Sequence, residues 1–494
     1  MPRPLLLIHG YSATGLAFDT LKQMLRDRGV AAEMLNVGNY ISLNNEITIR
    51  DIAEGLERAI ELVPALNGAA EFDAIVHSTG MLVVRAWLAH QRAAPESNTR
   101  LKRLKHLVGV APATWGSPQA QMGRTWLGAL VKGDHTPGPD FLNAGDQILD
   151  GLELGSRFTW DLAHMDLLGE KPYFGTGPDT PYVTVFIGNT PYTGLSSVAN
   201  APGTDGTVRW SGCGLNTRKI TLDLTRTPVG PDGKPTQRVT LSEWAAGTRL
   251  DVPILAVEGK DHATLIADPD LGMVDRIASF LELNSADGFT AWLAEAKVWA
   301  DPAKQKMLLD PGAAAAGLAG SFKQYFGHLF HLGEKPLEGW QQFVIHARDE
   351  HNDPVTDYLL QVFRLEGEPG KEEWTECEEM YSDVHAYKTD PSFRCIHVRL
   401  PAGLSESQVP MQIRIKASTG TEIVTYQGYG SDQAGSTAVQ PMRADSEPVI
   451  FDITGGLGGG NGSLFHPFKT TLVEIILNRV PYPFGTFSQI FKWL

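Results

Sequence analysis

Ser78 stands where two hydrophobic patterns meet. In Phe72-Asp73-Ala74-Ile75-Val76-His77-Ser78-Thr79-Gly80-Met81, the residues Ala74 to His77 read as the end of a buried strand. From Met81 the pattern turns helical, with Leu82, Val83, Trp87 and Leu88 on the buried side. A serine on so sharp a strand-to-helix turn has its hydroxyl pushed out at the carboxyl end of a sheet. The first amides of the following helix lack intrahelical acceptors and can hold an oxyanion at the same point. A hydroxyl beside such amides suits attack on a carbonyl, with the amides taking up the charge that develops. The other reading of these residues is a buried serine that caps a helix.

The elements that must position this serine alternate. Leu5-Leu6-Leu7-Ile8 is a short apolar run suited to a central strand, and Ala32 to Val37 reads as another. Phe18 to Arg28 is an amphipathic helix. Ile49 to Leu62 is a second, with Ile49, Ile52, Leu56 and Ile60 on one face. Leu104 to Ala111, Tyr182 to Ile187 and Val252 to Val257 continue the strands. Strand and helix in alternation imply an α/β domain with a mostly parallel sheet. Residues 119 to about 175 carry no clear strand. Helices are expected there around Trp126 to Val131, Ile148 to Leu154 and Phe158 to Met165. Residues 216 to 246 read as an excursion, with Arg218 to Leu224 alternating like a half-exposed strand.

His77-Ser78-Thr79-Gly80 resembles the G-x-S-x-G elbow of the α/β-hydrolases, of the bacterial esterase and lipase type, and Val76 stands where their first glycine would be. That glycine lets strand and helix pack closely, so Val76 needs local room. The resemblance implies the rest of a site. His9-Gly10-Tyr11 at the end of the first strand is similar to the family's oxyanion loop, which makes the Tyr11 and Thr79 amides the two donors. Gly203-Thr204-Asp205-Gly206-Thr207-Val208 resembles the segment carrying the acid, Asp205. His262, in the loop after the last core strand, falls where the family keeps its base. The order Ser78, Asp205, His262 is that of the fold. In these roles Ser78 attacks, His262 takes and returns the proton, and Asp205 orients the imidazole. Asp261, Asp268 and Asp270 are rival acids. His77 reads as structural, and His9 as a support of the oxyanion loop.

The 119–175 insertion lies where the family places a helical cap, which is either a moving lid or a fixed decoration. Trp115, Trp126 and Trp160 are the candidate walls of an acyl pocket, though Trp115 reads equally as a core tryptophan at a strand end. The activity implied is that of a serine carboxylic-ester hydrolase on hydrophobic neutral esters, lipids among them, with no cofactor and no metal. A thioesterase, amidase, urethanase or acyltransferase would use the same residues. A hydrolase fold serving only to bind is the reading from another class.

A chain of 494 residues is too long for one core. From Trp340 the texture changes to short strands of period two. Phe343 to Arg348, Tyr358 to Phe363, Cys395 to Leu400, Met411 to Ile415 and Thr471 to Leu477 are the clearest. They predict an all-β sandwich of the immunoglobulin-like kind. The expected division is a catalytic domain over 1–285, a helical connector over 286–335 and the sandwich over 336–494. Asp349, Asp353 and Asp357 read as a hairpin turn rather than a cation site, and Gly455 to Gly460 as a flexible connection. The net charge of −15 argues against nucleic acid or an anionic membrane as partner. The three cysteines, Cys213, Cys377 and Cys395, have no metal spacing and read as free thiols. No run is apolar and long enough to span a bilayer. Met1-Pro2-Arg3-Pro4 leads straight into the first strand without a leader's apolar segment, so the cytoplasm is expected, or export by a leader outside this sequence.

Overall fold

A computed structural model describes residues 3–11, 15–30, 34–35, 44–89, 99–122, 145–169, 173–177, 179–192, 200–225, 239–243, 251–309, 337–402, 404, 409–421, 423–428, 440–442, 448–454 and 464–481. The chain divides into two units. The first comprises residues 1–217, 243–333 and 468–470, and the second comprises 218–242, 334–467 and 471–494.

The first unit is built on a six-stranded sheet. Its strands are β1 (Leu5–Ile8), β2 (Met34–Leu35), β3 (Phe72–His77), β4 (Leu104–Val110), β5 (Tyr182–Gly188) and, after two strands β6 (Thr217–Asp223) and β7 (Val239–Glu243) that lie elsewhere, β8 (Ile254–Val257). The order is β2-β1-β3-β4-β5-β8, and every pairing is parallel. All described residues of β1, β3, β5 and β8 are buried, as expected of parallel strands covered on both faces. That explains why these segments read as unbroken apolar runs. The helix Ile49–Leu62 starts where its sequence says it should. Thr48 accepts from the Asp51 amide, and Asp51 reaches back to the Thr48 amide in a capping box. Its buried face is Ile49, Ile52, Ala53, Leu56 and Ile60. The elbow helix Gly80–Ala89 is buried on all sides, because it lies between the sheet and further helices.

The two units divide the chain differently from the expected boundaries. Residues 218–242 group with the second unit, whereas the expected catalytic domain ran unbroken over 1–285. The excursion becomes β6 and β7 of the second unit. Strand alternation foretold β6 but could not tell which sheet would receive it. Residues 286–333, expected as a connector, group with the first unit, where Ala286–Leu309 is one long helix. Residues 468–470 return to the first unit from far down the chain. Within the expected cap, helices are Gln119–Met122, Asp146–Leu152 and Arg157–Asp166. The region around Trp126 lies outside the described residues, as does the glycine run 455–460.

The second unit adds β9 (Leu337–Asp349), β10 (Asp357–Glu366), β11 (Glu373–Glu376), β12 (Tyr381–Ala386), β13 (Phe393–Pro401), β14 (Met411–Ser418), β15 (Val424–Gly428), β16 (Gln440–Met442), β17 (Val449–Asp452) and β18 (Thr470–Pro481). One sheet runs β11-β10-β14-β17. The other runs β12-β13-β9-β18-β15-β16, with β6 pairing β18 and β7. The inward positions of both sheets share one core. Ile220, Phe343, Ile345, Val473 and Ile475 meet Val362, Ile413, Ile415 and Phe451. Two sheets closing on a common apolar layer make a β-sandwich. Cys213, Cys377 and Cys395 are free and buried. Asp349 accepts from the His351 and Asp353 amides, which closes the expected turn. Among the described residues no cluster could hold a metal, and no helix is long and apolar enough to cross a membrane.

Candidate active site

Ser78 follows β3 at the carboxyl end of the sheet, with φ +53°. A left-handed backbone at a non-glycine residue costs on the order of 1–3 kcal/mol and persists only where its surroundings fix it. Here they do. The Ser78 amide donates to the Val110 carbonyl at 3.2 Å, and its carbonyl accepts from Ala113 at 3.0 Å and Met81 at 3.2 Å. The turn that makes the backbone strained also projects the side chain out of the sheet. The opposing loop must then come close. A Cβ on Gly10 would lie 2.7 Å from Ser78 Cβ and 3.3 Å from its hydroxyl, so only glycine fits there.

Val76, which departs from the elbow pattern, is accommodated. Its register neighbour on β4 is Gly109, and a Cβ on Gly109 would strike Met81 of the elbow helix at 2.7 Å. The firmer close approach of elbow helix to sheet is at Gly80, where a Cβ would lie 2.8 Å from the Ile8 carbonyl.

Tyr11 and Thr79, the expected oxyanion donors, are brought to the same place. The Tyr11 amide donates to Thr79 Oγ1 at 3.3 Å across the gap between the β1 loop and the elbow. His9 is fully buried, with Nδ1 2.6 Å from the Gly10 carbonyl. Burial pushes its pKa down, opposed by that bond. It braces the loop.

Asp205 and His262 are paired. His262 Nδ1 donates to Asp205 Oδ2 at 2.9 Å, and the His262 amide donates to the Asp205 carbonyl at 2.9 Å. The other carboxylate oxygen, Oδ1, accepts from the Val208 amide at 2.8 Å and the Thr207 amide at 3.0 Å. Asp205 is thus fully buried with both oxygens engaged. Its loop follows β5, and the His262 loop follows β8, the neighbouring strand. The two loops are tied independently of the pair. The Thr190 amide donates to the Lys260 carbonyl, and Gly259 donates to Asn189 Oδ1. The rival acids are occupied elsewhere. Asp261 accepts from the Thr264 amide at 2.8 Å, Asp268 pairs with Lys260 Nζ at 2.7 Å, and Asp270 caps its helix through the Met273 amide.

No hydrogen bond joins Ser78 to His262 among the described residues. Such contacts often tighten only when substrate arrives. The link between them runs through His77, whose Nε2 donates to the His262 carbonyl at 3.0 Å while the two rings lie 4.6 Å apart.

The tryptophans divide. Trp115 is fully buried, and its Nε1 donates to the Gly214 carbonyl with the Arg85 guanidinium 5.6 Å over its ring. That is the setting of a core tryptophan. Trp160 is buried on the helix Arg157–Asp166 and packs against His164. No described contact brings either to Ser78, and Trp126 lies outside the described residues.

One buried group escaped the sequence reading. Arg85, in the middle of the elbow helix, makes a two-pronged pair with Asp166 at 2.7 and 3.0 Å and donates to the Thr114 carbonyl at 2.7 Å. Both side chains are completely buried. The signal was present: a lone arginine inside Leu82-Val83-Val84-Arg85-Ala86-Trp87 must find a buried anion. The pair ties the elbow helix to the cap helix and to the loop after β4.

No protein-family model matches the chain, and no curated protein sequence matches it. Solved structures do. Phospholipase PlaB from Legionella pneumophila superposes with a TM-score of 0.71 at 19% identity, over 97% of this chain and 94% of that one. The same phospholipase in complex with thio-NAD gives 0.68 at 18% identity, with the same coverage. The mature Bacillus licheniformis lipase BlEst2 covers 56% of this chain and 92% of that one, at 12% identity and a TM-score of 0.36. The chain has an α/β-hydrolase fold joined to a β-sandwich, and the PlaB likeness extends over both.

Proposed function

We propose that the chain is a serine carboxylic-ester hydrolase of the esterase and lipase type. The observation that carries this is the Asp205–His262 pair at 2.9 Å, on loops from β5 and β8, beside a left-handed Ser78 at the end of β3. Ser78 Oγ attacks the ester carbonyl as His262 Nε2 takes its proton. The Tyr11 and Thr79 amides receive the oxyanion. The proton passes from His262 to the leaving alcohol, and an acyl-enzyme remains. Water, activated by the same imidazole, then releases the acid. Asp205 keeps the His262 proton on Nδ1, so that Nε2 is free to act as base.

The substrates proposed are hydrophobic neutral esters, with diacyl phospholipids tried beside them because the superposable PlaB is a phospholipase. The test is intact mass after treatment with a fluorophosphonate. One adduct on the wild type and none on Ser78→Ala is expected. An unmodified wild type counts against an activated serine. Nitrophenyl esters of increasing chain length then decide the acyl preference, and faster cleavage of acetate than of octanoate would sink the lipase version.

A further inference from the structure

We propose that His77 is a positioning residue of this site, its Nε2–H donated to the His262 carbonyl setting the distance between nucleophile and base. The inference rests on the reading of Ser78 and His262 given above.

His77 is joined to Ser78 through the chain, and the Ser78 backbone is pinned on both sides by Val110 and Ala113. The His77 ring cannot shift without pulling on that turn. At its far end the ring holds the main chain of His262, at 3.0 Å, and lies against the His262 ring at 4.6 Å. It is therefore a splint between two groups that make no direct bond with each other in the described structure.

The ring's other nitrogen shows that packing is not the reason for it. His77 Nδ1 is buried with no hydrogen-bond partner, and Gly10 leaves only 3.2 Å for a Cβ beside it. A buried acceptor without a donor destabilises the fold. A phenyl ring would remove that stranded acceptor, but it would leave the buried His262 carbonyl without its donor. What the imidazole alone supplies is the Nε2–H. The ring is also held neutral. Burial, with the neighbouring His262, brings its pKa down to about 3, against the pull of the carbonyl bond. It neither competes for the proton of Ser78 nor sets a cation beside the base.

Two substitutions test this. His77→Phe removes the donor and the stranded acceptor together, whereas His77→Gln presents an amide N–H near the position of Nε2. Each is measured with nitrophenyl butyrate and fluorophosphonate, and its melting temperature is recorded. His77→Phe trades the stranded Nδ1 for an undonated His262 carbonyl, so the melting temperature should change little while KM holds. kcat should drop on the order of 10²-fold, the scale of a displaced catalytic geometry. His77→Gln should recover most of that loss. A role in packing alone predicts no such separation of stability from rate. Wild-type kcat in His77→Phe would overturn the inference, and so would a folded His77→Gln as slow as His77→Phe. His77→Met serves as the donorless variant if the phenyl ring prevents folding. A wild type that fluorophosphonate does not label removes the underlying reading and the inference with it. A labelled wild type with an equally fast His77→Phe removes the inference alone.

Discussion

Asp205→Asn separates the orienting role proposed for Asp205 from its place in the fold. The geometry dictates how the asparagine must sit. The Oδ1 position receives two backbone N–H donors, from Val208 at 2.8 Å and Thr207 at 3.0 Å. Only the amide oxygen can accept both. The NH2 group must then occupy the Oδ2 position, 2.9 Å from His262 Nδ1. Two donors cannot face one another, so Nδ1 presents its lone pair and the imidazole proton moves to Nε2. A ring protonated on Nε2 cannot accept the proton of Ser78. A wrong-tautomer substitution of this kind lowers kcat by about 10⁴, or roughly 5.5 kcal/mol at 1.36 kcal/mol per decade. Because the two backbone bonds to the side chain are kept, the melting temperature should barely move. The assay is kcat on nitrophenyl butyrate with thermal melting alongside. Asp261→Asn is the control. Asp261 caps the short helix Thr264–Ala267 through amides and not through the His262 ring. It should stay within a few-fold of wild type. An Asp205→Asn enzyme within ten-fold of wild type, or an equal loss in Asp261→Asn, would refute the assignment.

Gly10→Ala should reduce kcat at least ten-fold with the fold intact, since its Cβ would land 2.7 Å from Ser78 Cβ and push the hydroxyl aside; the fluorophosphonate labelling rate reads this directly. Arg85→Met leaves the Asp166 carboxylate buried without its cation and should cost about 3–5 kcal/mol in denaturant unfolding, with the double change Arg85→Met, Asp166→Leu recovering much of the loss. Burial pushes His77 down to about 3 and His346 to about 4. Below the ordinary histidine value near 6.5 the unfolded chain therefore binds protons that the folded chain does not. Stability is complete above that value and falls by about 1.4 kcal/mol per pH unit for each histidine as acid is added, levelling near pH 4 for His346 and pH 3 for His77. Melting temperatures from pH 7 to 4 check this, and His346→Phe should flatten the slope for the second unit.

Much of the first unit could be read from the chain because its strands are buried on both faces. Leu5–Ile8 and Tyr182–Gly188 are unbroken apolar runs, and the elbow needed only the change from strand to helix around Ser78. Ile49–Leu62 was legible to its ends because its capping box is local. What stayed hidden depends on residues far apart. That the β4 neighbour of Val76 is a glycine, Gly109, appears only once the strands are paired. Asp166 meets Arg85 only after the cap helix has folded back. Arg218 to Leu224 showed its alternation clearly, yet period two says nothing about which sheet a strand joins. The same blindness hid His77, whose significance lies in its contact with a carbonyl 185 residues away.

The return of residues 468–470 to the first unit has a consequence for how the protein is made. Thr217 Oγ1 donates to the Thr470 carbonyl at 2.6 Å, and Thr470 Oγ1 donates to the Ser211 carbonyl at 2.8 Å. Ser211 lies just beyond the Asp205 loop. During translation Ser78, Asp205 and His262 all leave the ribosome well before Thr470 does. A nascent chain or a fragment stopped short of this threonine carries all three residues but lacks the staple beyond the Asp205 loop. A chain ending before Thr470 would thus lack two of the hydrogen bonds that fasten the segment following the Asp205 loop.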